Sequence, residues 1–240
     1  NQDDIVDGGQ NLSGTINFFK NDWNIFTSYS MKSQYRQGGG SRNTTYYNSE
    51  DDPTLSIIST DTSVSYPKRN NIKMGIEHYP NDRALIAFDL TYIEHEGTDT
   101  TITHTSTTEY DNMSNTITSE TESLDRISIE NEEGQDLNYG FGYFIDNKEE
   151  NKSFSIEFDY DDHNDKESIS GYTDQEVDDN GVDKIFTMDY SAPISNGLGK
   201  ESKYEVGLKW DKGDDMHKST VEGENFEWNY DDQISALYFN

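Results

Sequence analysis

An all-β, antiparallel fold is predicted by one feature of composition and two regularities of order. The chain has 240 residues, with 16 Tyr, 11 Phe and 3 Trp against only 4 Pro, a balance that suits pleated strands. Apolar and polar residues alternate in strand-length segments between clusters of turn formers. The connections are short and long by turns, as in an up-and-down sheet whose every second connection returns to the same side. About nine such segments can be counted.

Charge and hydropathy narrow the field. Eighteen Lys and Arg against 48 Asp and Glu leave a formal net charge of −30, which argues against nucleic acid as a partner. Only 30% of residues are hydrophobic, a poor supply for a two-layer soluble core and a level at which high charge commonly marks disorder. The aromatic content opposes disorder. No run of 18 apolar residues exists, so a transmembrane helix is excluded, and Asn1 to Gln10 lack the basic start and apolar core of an export signal. Any such signal is expected to be gone already. With no cysteine there is neither a disulfide framework nor a thiolate zinc site, and the compartment stays open.

Taken in chain order, the strands share one rule. In Trp23 to Tyr35, Trp23, Ile25 and Tyr29 share a face with Thr27 and Met31, opposite Asn24, Phe26, Ser28, Ser30 and Lys32. Ile72, Met74 and Ile76 oppose Lys73, Gly75 and Glu77; Ile86, Phe88, Leu90 and Tyr92 oppose Ala87, Asp89 and Thr91. Tyr139, Phe141 and Tyr143 alternate with Asn138, Gly140 and Gly142, and Phe154, Ile156, Phe158 and Tyr160 with Ser155, Glu157 and Asp159. Phe186, Met188 and Tyr190 alternate with Thr187 and Asp189, and Tyr204, Val206, Leu208 and Trp210 with Glu205, Gly207 and Lys209. Charge falls on one face only.

The short connections are Lys20 to Asp22, Pro80 to Asp82, Asp146 to Asn151 and Pro193 to Lys200; the long ones, rich in Ser, Thr, Asp and Glu, are Gln37 to Pro53, Gly97 to Thr121, Asn164 to Asp183 and Gly213 to Asn225. Short turns at one end, long acidic loops at the other, an apolar face and a polar face together predict an antiparallel up-and-down transmembrane β-barrel, here a partial barrel of about nine long strands. Aromatic residues gather toward the ends of the apolar rows, at Trp23, Tyr92, Tyr143, Tyr160, Tyr190, Tyr204 and Trp210, where interfacial girdles stand. The apolar set above is then lipid-facing. Lys73, Glu77, Asp89, Glu157, Asp159, Asp189, Glu205 and Lys209 are lumen-facing and line a solute path or a plug interface, or equally form a salt-bridged, water-filled wall. A soluble sandwich, whose apolar face packs on a core, remains the alternative.

Five stretches carry a resemblance: NDWNIFTSYSMKS from Asn21, NIKMGIEHYPNDRALIAFDLTY from Asn71, NYGFGYFIDNKEENKSFSIEFDY from Asn138, IFTMDYSAPISNGLGKESKYEVGLKWD from Ile185 and NFEWNYDDQISALYF from Asn225. In style and order they resemble the outer-membrane β-barrel proteins of Bacteroidetes related to TonB-dependent receptors. The resemblance implies a Gram-negative outer membrane, contact with its lipid and lipopolysaccharide, a siderophore, oligosaccharide or peptide as solute, and an inner-membrane energy-coupling complex reached through a plug. The chain departs from that pattern in having no plug, no coupling segment and an odd number of strands, where such single-chain barrels have even numbers. Residues 1–240 are therefore expected to be one barrel segment of a larger receptor.

Nothing points to catalysis. No GxSxG is present, and His78, His95, His104, His163 and His217 form no zinc-type pair. His95 is crowded by Glu94 and Glu96 at a loop mouth. Carboxylates gather at Asp159, Asp161, Asp162 and Asp165 and again at Asp174, Glu176, Asp178, Asp179 and Asp183, where DDNGVD echoes part of a calcium loop without its closing Glu. Solvated acidic loops, with weak calcium binding as the rival, are expected there. Gly38 to Gly40 are expected to loosen a loop. Two other functions stay open: a surface adhesion barrel, and a secreted soluble sheet that binds carbohydrate through Tyr and Trp.

Overall fold

The structure, a computed structural model, describes residues 6–48, 52–111, 116–123, 125–171, 174–194 and 203–239. It is all-β. Eleven strands follow one another: β1 (Val6–Lys20), β2 (Trp23–Tyr47), β3 (Pro53–Ser65), β4 (Lys68–Asn81), β5 (Ala84–Tyr110), β6 (Ile117–Glu122), β7 (Arg126–Asn147), β8 (Lys152–Ser170), β9 (Gln175–Pro193), β10 (Lys203–Val221) and β11 (Glu224–Phe239). Every pairing between them is antiparallel.

The eleven strands occupy nine lanes of one meandering sheet. β3 and β4 lie end to end between β2 and β5, and β6 and β7 lie end to end beyond β5. The lane shared by β3 and β4 breaks at Tyr66 and Pro67, since proline has no N–H to give the ladder. Hydrogen bonding survives the break: Tyr66 N–H donates to Thr98 O at 3.0 Å, and Pro67 O accepts from Gln34 N at 2.9 Å.

The long connections foreseen from the sequence are mostly strand. β2 runs on through Gly38, Gly39 and Gly40 to Tyr47, β5 to Tyr110, β8 to Ser170 and β10 to Val221. The acidic stretches are therefore the upper parts of tall hairpins, and the last of them closes on two residues, Glu222 at φ 51° and Gly223 at φ 85°. Alternation failed to reveal these parts because both of their faces are mostly polar, with apolar residues such as Ile102, Val177 and Met216 only scattered among them. A period-2 signal needs apolar contrast, whereas backbone pairing needs none. β1, with Leu12, Ile16 and Phe18 on one face, likewise escaped the segment-by-segment reading.

Among the described residues no second layer covers the sheet. Among the described residues the buried apolar set is Ala84 and Ala192, and no large side chain is fully buried. The accessible surface is 16673 Å², against about 11,000 Å² for a compact monomer of this mass. β1 and β11 each pair on one side only, so the sheet is not closed into a barrel. As the first and ninth lanes they also run in the same direction, and an all-antiparallel closure needs an odd number of further lanes between them.

Backbone conformation makes one turn residue demanding. A Cβ at Gly223 meets nothing within 4 Å, so only its positive φ opposes a side chain. Gly223→Val is expected to destabilise the β10–β11 hairpin by about 1–2 kcal/mol, read as faster amide exchange in that hairpin. Gly14→Val, with open space and no positive φ, should leave exchange unchanged.

Candidate functional site

Register assigns every side chain to a face, because directly opposed residues in an antiparallel pair project to the same side. One hydrogen-bonded row crosses all nine lanes: Phe18, Ile25, Ile76, Phe88, Phe141, Phe158, Phe186, Trp210 and Ser235. Counting in twos from this row puts the entire apolar set foreseen above, Trp23 through Trp210, on that face. Lys73, Glu77, Asp89, Glu157, Asp159, Asp189, Glu205 and Lys209 all fall on the other. β1 adds Leu12 and Ile16 to the apolar face, and β11 adds Leu237 and Phe239.

This belt is bare. Ile16 is 70% exposed, Met74 50%, Phe88 43% and Phe141 45%. Nine lanes about 4.8 Å apart, each apolar over some 25 Å, present on the order of 1,000 Å², well above the 300–600 Å² of the largest patch on a typical soluble monomer.

The upper margin of the belt is oblique to the hydrogen-bonded rows. From β1 to β11 the belt's apolar run ends at Leu12, Met31, Ile72, Tyr92, Leu137, Tyr160, Phe186, Trp210 and Leu237, followed on most lanes by Asn70, Glu94, Gln135, Asp162, Lys184 or Lys212, with isolated apolar residues such as Tyr35, Ile102, Val182 and Met216 higher on the same face. Leu12 lies six residues above the common row, Tyr92 four, Tyr160 two, Trp210 none, and Leu237 two below. The margin thus slips about one residue per lane, which for a 3.3 Å rise and a 4.8 Å spacing makes the strands about 35° oblique to the belt. A flat apolar slab crossing tilted strands leaves this trace.

Beyond that margin the same face turns charged. Lys68, Glu96, Glu133, Lys166, Asp178, Lys218 and Glu227 form one transverse row. Lys68 Nζ donates to Glu96 Oε1 at 2.5 Å, and that carboxylate raises the Lys68 pKa above its ordinary value.

The polar face is built around glycines. Gly75, Gly134, Gly140, Gly181, Gly207 and Gly213 all sit on it, and side chains from the flanking lanes lie across them. A Cβ at Gly140 would come within 3.0 Å of an oxygen of Asp89 on one side and of Asp159 on the other. At Gly213 the neighbours are Asp183 and Asp232, each at 2.8 Å. His95 and Asp165 meet over Gly134, His163 and Asp215 over Gly181, and Tyr238 donates to Asp189 over Gly207. Glu77 accepts from Asn24 at 2.8 Å and from Tyr79 at 2.7 Å, and Lys209 pairs with Asp211 at 3.0 Å. Periodicity could not find these bridges, since they depend on register between strands far apart in sequence.

Strand alternation also revises the metal-like clusters. DDNGVD is extended chain within β9, so Asp178 faces one way and Asp179, Gly181 and Asp183 the other. A calcium-loop geometry is therefore absent from it. Glu94 and Glu96 lie on the opposite face from His95, whose Nε2 instead stands 3.3 Å from Asp165 and 3.4 Å from Glu132. His104 pairs with Asp125 at 2.9 Å, His217 with Asp179, and His78 stacks on Trp23 at 4.2 Å. Among the described residues no group of three or more His, Asp or Glu is arranged to hold a metal ion.

No family model matches the chain, and no curated protein matches it. Solved structures do. The ferric citrate transporter FecA in its unliganded form is 12% identical, with 98% of this chain on 41% of that one and a TM-score of 0.45. The siderophore receptor PiuA from Acinetobacter baumannii is 10% identical, with 98% on 45% and a TM-score of 0.42. The translocator domain of the autotransporter NalP from Neisseria meningitidis is 9% identical, with 98% on 87% and a TM-score of 0.29. The chain spans less than half the length of FecA and PiuA.

Like charges crowd the top of the polar face. Burial, then Glu167, Asp99 and Glu132, push the Glu130 carboxyl above the usual carboxylate range. A raised carboxyl pKa favours the protonated folded form, so its contribution is full below the unfolded pKa and is lost as pH rises through the folded one. Glu130→Gln is expected to slow amide exchange in β7 at neutral pH and to flatten its change on acidification to pH 4.

Proposed function

We propose that the chain is a segment of an outer-membrane β-barrel through which a solute is taken up. The observation that carries this is the oblique belt: an apolar band whose upper margin slips about one residue per lane, at an obliquity matching the roughly 35–45° tilt of membrane barrels. A soluble sandwich needs an inner apolar face, but gives it no reason to be cut at a slant to the ladder or left without a facing layer. Lipid supplies the missing cover. Among the described residues no helix is long and apolar enough to cross a membrane.

On this reading the polar face lines a water-filled path, with the tall hairpins meeting the solute first. Uptake through a plug and an inner-membrane energy-coupling partner is the finer part of the proposal, and it rests on the sequence resemblance. Lipopolysaccharide meets the charged row above the belt. The height of the hairpins favours a second reading, a surface adhesion barrel, which lacks a saturable solute flux.

The test is the partition of the native protein. It is expected to stay with outer-membrane vesicles through high-salt and carbonate washing and to leave with detergent; release by carbonate alone overturns the proposal. Within the belt, Phe88→Arg is expected to destabilise the detergent- or lipid-embedded protein by about 2–4 kcal/mol, and Asp89→Arg by much less. Equal effects in urea titrations of the two variants contradict the assignment of faces.

A further inference from the structure

Lane β11 reverses the polarity of the sheet. Its upper part puts Asn225, Glu227, Asn229 and Asp231 on the face that is apolar lower down, and Phe226, Trp228 and Tyr230 on the polar face. These rings are exposed, Trp228 at 56% and Tyr230 at 60%. They stand two residues apart along one strand, about 6.6 Å from Cα to Cα. Trp228 is held in place by His217 of β10, stacked at 3.8 Å with 17° between the planes, and His217 is itself fixed by Asp179 of β9. The ring is thus set before any ligand arrives.

A cavity of about 510 Å³ opens beside this platform. Trp228, Tyr230 and His217 form one side, and Asp165, Asp179, Asp183 and Asp215 stand with His163, Asn180 and Met216 around the rest; four carboxylates face two imidazoles, and the described lining contains no Lys or Arg. Two independent electrostatic features have the same sign there. Aromatic faces attract cations through the ring quadrupole, most strongly for Trp. Carboxylates without a neighbouring Lys or Arg favour the same charge and repel anions.

We propose that this aromatic–carboxylate cavity of β9, β10 and β11 is a binding site for an organic cation of the guanidinium or alkylammonium class. The cation lies over the Trp228 and Tyr230 faces and points its N–H groups at Asp215 and Asp183. Trp228 is level with His217, seven residues above the belt margin at Trp210, so the site lies at the mouth of the barrel. It deepens the uptake reading by naming a solute class, cationic rather than anionic, and depends on that reading only for its place at the mouth.

The test uses the full chain in detergent, with β-structure verified by circular dichroism in the same sample. N-acetylarginine amide is titrated by calorimetry and tryptophan fluorescence against its near-isosteric neutral counterpart, N-acetylcitrulline amide. Saturable binding of the arginine compound is expected, at least about tenfold tighter than the citrulline compound, weakened about tenfold by Trp228→Leu and several-fold by Asp215→Asn. Equal binding of the two compounds to the native protein overturns the proposal, as does no saturable binding below about 10 mM or undiminished binding by folded Trp228→Leu. Citrate binding more tightly than the arginine compound overturns it too. Failure here with carbonate-resistant membrane retention removes the cation site alone; binding by a protein that carbonate releases removes the membrane reading alone.

Discussion

A sheet one layer thick satisfies its backbone laterally and covers neither face. Most N–H and C=O groups that point along the hydrogen-bond direction find a neighbouring lane, the exceptions being the two outer edges, the far side of β6 and the top of β2, and this lateral pairing extends well past the apolar belt. The faces are another matter. Where the sheet is polar on both sides, water covers it without cost. Where a band on one side is Ile, Leu, Met, Phe, Tyr and Trp, something apolar must lie against it, and the described residues offer no second layer. The tilt of the belt, the charged row beyond its margin and the crowding of glycines on the reverse side all follow from that one demand.

The glycines show how the reverse face accommodates its side chains. Side chains of flanking lanes crowd together on the polar side, and removing a Cβ opens a slot into which neighbours can be laid. Gly140 and Gly213 each lie beneath two carboxylates, Gly134 and Gly181 beneath a histidine and a carboxylate, and Gly75 beneath the ring of Phe26. These positions look like strand weakeners in the sequence. In the sheet they are what lets long polar side chains bridge three lanes, and they make the polar wall a network fixed by register.

The lower half of the sheet was legible because its two faces differ. Phe88 beside Asp89 and Leu208 beside Lys209 carry the period plainly, and the two-residue turn at Asn21 and Asp22 falls where Asn and Asp predict it. The upper half was not. Thr98 through Tyr110 are strand because the flanking lanes offer hydrogen bonds there, a non-local fact that leaves no mark on composition. The candidate cation site was hidden for a related reason. Phe226, Trp228 and Tyr230 alternate as strongly as any segment, but which face they occupy depends on their register against Ser219, His217 and Asp215. Pattern alone would have placed them with the belt.

Strand orientation in a bilayer is the most direct measure of the whole arrangement, because the tilt follows from register and belt margin and from no assumption about solute or partner. Polarised infrared spectroscopy of the protein in aligned bilayers should give an amide I dichroism corresponding to strands about 35° from the membrane normal. Strands lying in the membrane plane, or with no preferred orientation in a sample that retains its β-structure, would contradict a tilted spanning sheet and return the apolar belt to the surface of a soluble partner.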